Sequence, residues 1–345
     1  MQKQPIKRIL VTGATGRIGR VVIRDLLDRG YRVRATTSKT PPQHETDMLE
    51  WRQIDFLKES DFTALTSECH AVVHLAAEIG AQSLMQRMNV DTTRSLTEAA
   101  ENAGVDVFVY ISTVSVYGSG ASKLITETSP VLTHDQDVRS QYWALDYVRT
   151  YGRSKLAGEI AVGQVATKMR CVSLRPSVVV DISQIIGIRD WGVIKKNLAA
   201  HRHAHHIYVK DVSDAIIWFM KRGFEGGGLP GELEVYNLAD DDIDKPRHVD
   251  FMRAAFRVTN DKRFLVLPVP GLVDWLHDFL RFRTLPLRNP LWRMRFSTAR
   301  LEAVGYKFRY GMGEAQHRAL RVLQDEPRGG PPTVSSNAIG RSTVA

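Results

Sequence analysis

The N-terminal pattern of hydrophobic positions switches from a strand period to a helix period and back. Residues 9–11 form a short apolar run with β-branched members, as a central parallel strand requires. From residue 17 to 29, apolar side chains recur at helical spacing with charges on the other face. Gly30 ends this helix, and a second strand follows at 31–37. The pattern predicts one strand–helix–strand crossover.

Strand and helix patterns continue to alternate through the first half of the chain. Further strands are predicted at residues 51–54, 71–77, 107–112 and 171–174. Helices are predicted at residues 89–103 and 151–165. This alternation predicts the α/β class, with a doubly wound parallel sheet.

Three glycines fall between the first strand and the first helix. Gly13, Gly16 and Gly19 are spaced three residues apart, as G-x-x-G-x-x-G rather than G-x-G-x-x-G. Glycine lets the backbone approach a ligand closely, and the N-terminus of a helix attracts a pyrophosphate. The order of strand, turn and helix therefore predicts a dinucleotide site, against the alternative of a glycine turn without a ligand.

The end of the second strand bears on the choice between NAD and NADP. An acidic residue about 20 positions past the glycines is typical of NAD sites. The chain instead reads T-T-S-K and has no carboxylate before Glu45. Arg17, Arg34 and Lys39 are candidates to face a 2′-phosphate, with Ser38 as a hydrogen-bond donor. NADP is therefore favoured over NAD, although these cations could also be merely solvated.

A hydroxyl at a strand end and a Tyr-Lys pair form a second chemical pattern. Thr113 follows the fifth strand, and Tyr151 and Lys155 share one face of the next helix. A tyrosine pKa near ~10 makes a poor acid–base group at neutral pH, and a lysine ammonium one turn away lowers it. Asn89 could cap a helix. His74 lies in an apolar run, which favours a core histidine over a catalytic one.

These motifs resemble the extended short-chain dehydrogenase/reductases, the NAD(P)-dependent epimerase/dehydratase family. The resemblance covers about residues 6–310 and is strongest up to residue 180. The matching stretches are T-G-A-T-G-R-I-G at 12–19, H-L-A-A at 74–77, N-V at 89–90, S-T-V-S-V-Y-G at 112–118, Y-G-R-S-K at 151–155, L-R-P at 174–176, V-K-D-V at 209–212 and V-Y-N-L at 235–238.

The resemblance assigns roles to the matching residues. Tyr151 is the expected catalytic acid–base, Lys155 holds the nicotinamide ribose and tunes Tyr151, and Thr113 binds the reacting oxygen. Asn89 is similar to the family's active-site asparagine. The expected cofactor-binding residues are Gly13, Thr15, Gly16, Arg17, Ile18, Gly19, Ser38, Lys39, Asp55, Phe56, Leu75, Ala76, Ala77, Tyr151, Lys155, Pro176 and Val178.

The resemblance also implies a division of the chain. Residues 1–180, with return segments at about 206–240, are expected to form an NAD(P)-binding Rossmann domain. Residues 181–205 and 241–325 are expected to form a smaller C-terminal substrate lobe, followed by a disordered tail at 326–345. A homodimer is possible by resemblance alone.

The chain departs from the nucleotide-sugar members of the family. L-R-P leads into S-V-V-V-D instead of a Tyr-Gly-Pro turn, and a histidine-rich stretch at 201–206 replaces the usual sugar anchor. We therefore expect an oxidoreductase that acts on the carbonyl or alcohol group of a small-molecule substrate, similar to the dihydroflavonol reductases and 3β-hydroxysteroid dehydrogenases. The alternatives are an NAD-dependent sugar-nucleotide epimerase/dehydratase and a non-catalytic dinucleotide-sensing protein.

Charge, cysteine content and hydropathy bear on the partners and the location of the protein. The 345 residues carry a net charge of +9 in scattered positions, which does not favour a nucleic-acid partner. Cys69 and Cys171 lack C-x-x-C spacing and are expected to be buried free thiols, so no metal is expected, although 201–206 leaves a zinc alternative open. The absence of an apolar signal core or an 18-residue apolar run predicts a cytoplasmic protein without a membrane partner.

Overall fold

A seven-stranded sheet, parallel throughout, forms the centre of the molecule. The computed structural model describes residues 6–42, 45–118, 124–133, 146–201, 205–239, 247–268 and 295–325. The expected disordered tail and the middle of the histidine-rich stretch lie outside these residues. In the β numbering given below, the strand order is 10-7-5-4-1-2-3.

The strands follow the hydrophobic runs of the sequence. Those of the main sheet are β1 Arg8–Thr12, β2 Arg32–Thr37, β3 Leu49–Gln53, β4 Ala71–His74, β5 Val107–Ile111, β7 Arg170–Pro176 and β10 Leu233–Leu238. Two small parallel pairs are formed by β6 Leu124–Ile125 with β11 Arg295–Phe296, and by β8 Val178–Val180 with β9 His206–Tyr208.

The described helices connect the strands and build the C-terminal region. They are α1 Arg17–Asp28, α2 Thr63–Thr66, α3 Gln82–Met85, α4 Thr92–Asn102, α5 Asp146–Val165, α6 Ile182–Gly187, α7 Val193–His201, α8 Val209–Phe224, α9 His248–Thr259, α10 Ala299–Ala303 and α11 Gly311–Asp325. Short 3₁₀ turns lie at Val114–Tyr117, Ile188–Asp190 and Lys262–Phe264. None of the described helices is long and apolar enough to cross a bilayer.

The strand order reverses between β1 and β4. From β1 the chain builds outward to β2 and β3, then returns to the other side of β1 with β4 and continues to β5. Loops at the carboxyl ends of β1 and β4 therefore run apart and leave a crevice between them. This reversal is the feature of the doubly wound fold that places the candidate site.

Several element boundaries differ from the sequence prediction. Strand β4 stops at His74, so Leu75 and the two alanines after it lie in a loop instead of the sheet. The helix predicted to open at Asn89 begins at Gln82 and passes through a π turn at Gln86–Asp91 before α4. Asn89 is thus inside a helical segment, and its alternative role as an N-cap is wrong.

One carboxylate docks the last helix onto α8. Asp211 is 1% exposed, and its two carboxylate oxygens accept the backbone N–H groups of Arg309, Tyr310 and Gly311. Gly311 begins α11, so the negative charge lies at the positive end of that helix. The phenol of Tyr306 donates to the Asp211 carbonyl oxygen at 3.2 Å. These contacts fasten residues 306–325 to α8.

Both cysteines are buried free thiols, as predicted. Burial raises the pKa of Cys69 to about 11, and burial together with the charge of Glu101 raises the pKa of Cys171 to about 12. Only the thiolate reacts quickly with disulfide reagents. We expect native protein at pH 8 to react with Ellman's reagent at least about a hundredfold more slowly than protein in guanidinium, where two thiols titrate. Rapid modification of the native protein contradicts this burial.

Candidate functional site

A cleft of about 580 Å³ opens at the carboxyl ends of β1 to β4. This volume lies within the range of small-molecule and cofactor sites. The lining residues are Gly13, Thr15, Gly16, Arg17, Ile18, Gly19, Ser38, Asp55, Phe56, Leu57, Leu75, Ala76, Ala77, Glu78, Ile79, Met88 and Val179. Twelve of these are residues that the sequence predicted for cofactor binding, namely Gly13, Thr15, Gly16, Arg17, Ile18, Gly19, Ser38, Asp55, Phe56, Leu75, Ala76 and Ala77.

The glycine turn forms the floor of the cleft. Gly13 has φ +63°, and a Cβ there would lie 2.8 Å from the backbone nitrogen of Ala76. A Cβ on Gly19 would lie 2.4 Å from the Gly13 carbonyl oxygen, and the Gly16 N–H donates to that same oxygen at 3.0 Å. The first turn of α1 thus packs directly against the loop and borders the cleft with its N-terminus.

A chain of buried hydrogen bonds holds the opposite wall. Thr12 Oγ1 accepts the backbone N–H groups of Leu75 and Ala76 at 3.1 and 3.2 Å. Its hydroxyl therefore donates to His74 Nδ1 at 2.7 Å, which leaves the ring proton on Nε2 to donate to Thr93 Oγ1 at 3.1 Å. Burial, with the charge of Lys155 adding to it, lowers the pKa of His74 to about 3. His74 is a neutral core histidine, as the apolar run suggested.

The residues predicted to face a 2′-phosphate near the end of β2 lie in different environments. Ser38 is exposed and lines the cleft, whereas Lys39 is exposed beside it and is not among the lining residues. Arg34 is buried, and it donates to Glu50 at 3.1 Å and to the Leu65 carbonyl at 2.9 Å. Arg34 therefore points into the core of the molecule, and the expectation that it could face a 2′-phosphate is wrong.

Arg17 joins the glycine turn to the strand pair formed by β8 and β9. Its guanidinium donates to the Val179 carbonyl at 2.8 Å, and its Nε lies 3.8 Å from an Asp181 carboxylate oxygen. Val179, and not the predicted Val178, lines the cleft, since Val178 is 55% exposed on the other side of the strand. Pro176 ends β7 and does not reach the lining.

Two of the predicted lining residues follow β3. Asp55 Oδ1 accepts the Leu57 N–H at 3.1 Å, which fixes the turn, and the Asp55 carboxylate lies 3.5 Å from Lys58 Nζ. Phe56 is buried and packs against Phe62, with ring centroids 5.4 Å apart. The carboxylate and the aromatic ring thus border the cleft where the sequence placed them.

Thr113 lies at the carboxyl end of β5. Its Oγ1 accepts the Ser115 backbone N–H at 3.1 Å and donates to Ser115 Oγ at 3.1 Å. It therefore caps the 3₁₀ turn Val114–Tyr117, and two hydroxyl groups collect at this strand end.

Helix α5 packs onto this turn through a glycine. A Cβ on Gly152 would lie 2.4 Å from the Ser115 carbonyl oxygen, so only glycine permits the approach. The neighbouring Tyr151 is half-buried and Lys155 is buried. Gly152 thus packs α5, the helix that carries Tyr151 and Lys155, directly onto the turn that follows Thr113.

Burial is the largest influence on the pKa values of Tyr151 and Lys155. It raises the pKa of Tyr151 to about 12 and lowers the pKa of Lys155 to about 7, with the charge of Glu159 opposing the fall for Lys155. The direction for Tyr151 is opposite to the one expected from a neighbouring ammonium, because the loss of hydration on burial disfavours the phenolate. Tyr151 is therefore a neutral phenol at physiological pH.

Asn89 connects the cleft to α5. Its amide nitrogen donates to the Glu78 carbonyl and to Ser154 Oγ, both at 2.9 Å, and its oxygen accepts the Glu78 N–H at 2.8 Å. Ser154 Oγ in turn donates to the Tyr151 carbonyl at 2.8 Å. The buried amide fixes the lining loop relative to the helix that carries Tyr151.

Sequence reasoning missed five lining residues. They are Leu57, Glu78, Ile79, Met88 and Val179. All five are within two positions of a predicted site residue, so extending each motif by two residues would have found them. Met88 precedes Asn89 on the π turn.

The histidine-rich stretch contributes a pair instead of a metal centre in the part that is described. His206 Nδ1 and His248 Nε2 are 2.6 Å apart, which joins β9 to α9. Within the described ranges, no three His, Cys, Asp or Glu side chains are grouped so as to hold a metal ion.

Known proteins share this sequence pattern and fold. Residues 9–180 match the NAD dependent epimerase/dehydratase family. Cinnamoyl-CoA reductase 1 of Oryza sativa subsp. japonica is 28% identical over 170 residues, 46% of this chain and 49% of that protein. The 3-beta-hydroxysteroid dehydrogenase of Mycolicibacterium neoaurum is 29% identical over 184 residues, 49% of this chain and 47% of that protein. The chain thus matches about half the length of each relative.

The fold extends further than the sequence similarity. The solved structure described as "MoeE5 in complex with UDP-glucuronic acid and NAD" superposes with a TM-score of 0.63 and 21% identity, covering 91% of this chain and 98% of that one. At this identity the likeness shows the shared fold alone.

Proposed function

Because this chain belongs, through residues 9–180, to the NAD dependent epimerase/dehydratase family, we propose that it is an NAD(P)-dependent oxidoreductase. The proposed reaction moves a hydride between the nicotinamide and a carbonyl or alcohol carbon of a small molecule. One observation carries the proposal: Gly152 packs α5, the helix that carries Tyr151 and Lys155, directly onto the turn that follows Thr113, at the carboxyl end of β5.

The cleft fits a dinucleotide. Backbone N–H groups at the start of α1 and the positive end of that helix suit a pyrophosphate. Gly13 and Gly19 pack so closely on neighbouring backbone that neither position has room for a Cβ, which keeps the start of α1 against the loop that borders the cleft. The small Ala76 and Ala77 let the cofactor pass along the opposite wall.

We assign each catalytic residue one task. When bound, the nicotinamide supplies or accepts the hydride. Tyr151, a neutral phenol, donates a proton to the substrate oxygen during reduction, and Thr113 binds that oxygen through its hydroxyl. Lys155 holds the nicotinamide ribose. Asn89 positions α5 relative to the cleft loop.

Transfer of an isotope tests this reaction. The protein is incubated with NADPH deuterated at C4 of the nicotinamide and with a panel of bulky ketones and aldehydes. We expect deuterium on the carbinol carbon of the product, since a reductase delivers the hydride directly. Consumption of NADPH without deuterium in the product contradicts the proposal.

A second candidate is an NAD-dependent sugar-nucleotide epimerase/dehydratase. The family description, which includes both activities, favours it. Such enzymes regenerate their cofactor in place, so stoichiometric NAD⁺ released from the purified, denatured protein supports this candidate. Binding of dinucleotide without turnover of any substrate supports the non-catalytic sensor instead.

We also propose that NADP is preferred over NAD. Ser38 lines the cleft at the end of β2, Lys39 lies exposed next to it, and a carboxylate for the ribose 2′-OH is absent between residues 36 and 39. With Arg34 in the core and Arg17 on Val179, the preference rests on Ser38 and Lys39.

Replacing Ser38 with Asp is expected to reverse this preference. The new carboxylate repels a 2′-phosphate and accepts a hydrogen bond from a ribose 2′-OH. We expect the ratio of Kd for NADPH to Kd for NADH to rise about 10- to 100-fold, a change of about 1.4–2.7 kcal/mol. Fluorescence titration measures both constants. Thr40→Asp, at an exposed position outside the lining, is the matched control and should leave the ratio unchanged.

We propose that residues 1–180 and 206–240 bind the dinucleotide and that residues 181–205 and 241–325 cover the substrate. We also propose that the protein can form a homodimer. The division of the chain is supported by β10, which lies within residues 206–240 and pairs with β7 in the main sheet. Limited proteolysis with and without NADPH tests the division, and light scattering tests the dimer.

A further inference from the structure

The ammonium group of Lys155 rests on the face of a buried aromatic ring. Its Nζ lies 4.0 Å from the centroid of the Tyr110 ring on β5. Tyr110 is 0% exposed and Lys155 is 1% exposed. A cation over a ring face is attracted by the ring's negative charge distribution, and the attraction is strongest where water is excluded.

Close packing of α5 on β5 builds this contact. A Cβ on Gly158 would lie 2.3 Å from the Tyr110 hydroxyl oxygen and 2.5 Å from the Asn89 carbonyl oxygen. Only glycine lets the helix rest there, and Lys155 is three residues earlier on the same side of the helix. The Tyr110 hydroxyl also donates to the Lys155 carbonyl oxygen at 3.4 Å.

Two other basic side chains lie on the strands that flank β5, and neither replaces Lys155 as the cation on the face of the Tyr110 ring. His74, from β4, has its ring centroid 5.8 Å from that of Tyr110 and is neutral. Arg175, from β7, is held by Glu159 of α5 through two hydrogen bonds.

The two phenols facing this site are also neutral. Burial raises the pKa of Tyr110 well above its usual value, the charge of Glu159 adds to the rise, and a hydrogen bond with Thr93 partly opposes it. Burial does the same for the pKa of Tyr151. The ring therefore presents an uncharged aromatic face to the ammonium at any working pH.

We propose that Tyr110 is a positioning residue that holds the Lys155 ammonium through its ring face and thereby keeps that group charged and in place at the candidate active site. Its catalytic consequence rests on the proposed function. The contact itself is independent of turnover, so it is tested without a substrate.

Progressive fluorination of the ring tests the contact with little change of shape. Phenylalanine, 4-fluorophenylalanine and 3,4,5-trifluorophenylalanine are placed in turn at position 110 of the full chain, beside Tyr110→Phe as the baseline made by ordinary mutation. Each protein carries [ε-¹³C]lysine, and Lys155→Met assigns the Lys155 signal. Because burial lowers the pKa of Lys155 to about 7, its titration falls in an accessible range.

We expect the Lys155 pKa to fall stepwise by about one unit from phenylalanine to trifluorophenylalanine, because fluorine weakens the negative ring face. Tyr110→Phe keeps the ring and should leave the Lys155 pKa near that of the native protein. Tyr110→Leu removes the ring and should lower it further. If Tyr110→Leu does not fold, the fluorinated series still decides the matter.

A Lys155 pKa constant to within about 0.2 unit across the series, at unchanged Tm, overturns the proposal. That result leaves the oxidoreductase proposal intact, since deuterium transfer tests it separately. Conversely, a stepwise shift in a protein that reduces no carbonyl keeps the contact and rejects the reaction.

Discussion

Tyr151→Phe is expected to lower kcat/KM about 10²- to 10⁴-fold for whichever carbonyl compound the deuterium experiment identifies. The phenol is the proposed donor of the proton to the substrate oxygen, and general acid catalysis contributes a factor of this size. The pKa of Tyr151 near 12, set by burial, keeps the group protonated and ready to donate at neutral pH. Steady-state kinetics with NADPH as the hydride source measures the loss.

Two controls distinguish loss of the proton donor from weaker cofactor binding and from a general effect of deleting a buried hydroxyl group. Tyr151 is not among the residues that line the cleft, so the Kd for NADPH should stay within about threefold of the native value. Tyr236→Phe deletes another largely buried phenol hydroxyl, one that donates to Glu234 at 3.0 Å on β10, and should leave kcat/KM unchanged. Turnover by Tyr151→Phe within tenfold of the native rate removes Tyr151 from its assigned role.

The fold of the first half of the chain could be predicted because the sequence signals for its elements are local. The glycine turn, the apolar run of β1 and the four-residue spacing of Tyr151 and Lys155 each depend on neighbours in sequence. Local rules such as the left-handed backbone of Gly13 or the shared face of a helix therefore apply directly. The structure assembles these pieces at one sheet edge because parallel strands all end on the same side.

The errors arise where distant residues decide the outcome. Arg34 was assigned to a 2′-phosphate, but its partner Glu50 lies on the neighbouring strand, and strand pairing is not visible from either segment alone. Val178 and Val179 differ only in the phase of β8, which its pairing with β9 sets. A shift of one residue in such a strand moves a side chain to the other face.

The protonation of Tyr151 is a third case of this kind. Spacing alone places an ammonium nearby and predicts a lowered pKa. The burial that raises the pKa instead comes from elements packed against α5, among them the 3₁₀ turn that Gly152 contacts, which spacing does not describe.

Glu159→Gln is expected to destabilise the protein by about 3–5 kcal/mol, because it leaves a buried guanidinium without its counter-charge. The side chains of Glu159 and Arg175 are 3% and 5% exposed. Arg175 donates to both Glu159 oxygens at 2.9 and 2.6 Å and to the Tyr117 hydroxyl at 2.7 Å. Urea unfolding, followed by circular dichroism, measures the change in the free energy of unfolding.

Glu159→Gln and Arg175→Met should lower the free energy of unfolding by different amounts, since Glu159 faces two cations. Glu159→Gln leaves Arg175 and Lys155 both buried without a carboxylate, whereas Arg175→Met leaves Glu159 with Lys155. We therefore expect Arg175→Met to cost less than Glu159→Gln. The double variant should lose less than the sum of the two single losses, because it removes both members of the buried pair and leaves only Lys155 without a carboxylate.

A surface pair provides the comparison. Glu314 accepts a hydrogen bond from Arg318 one turn later on α11, where both side chains are more than a third exposed. Water and salt screen that pair, so Glu314→Gln should change the free energy of unfolding by less than the error of the measurement. Equal losses for Glu159→Gln and Arg175→Met contradict the assignment of Glu159 as the shared counter-ion. A double variant as unstable as the sum of the single variants contradicts the pairing itself, because uncoupled sites are additive.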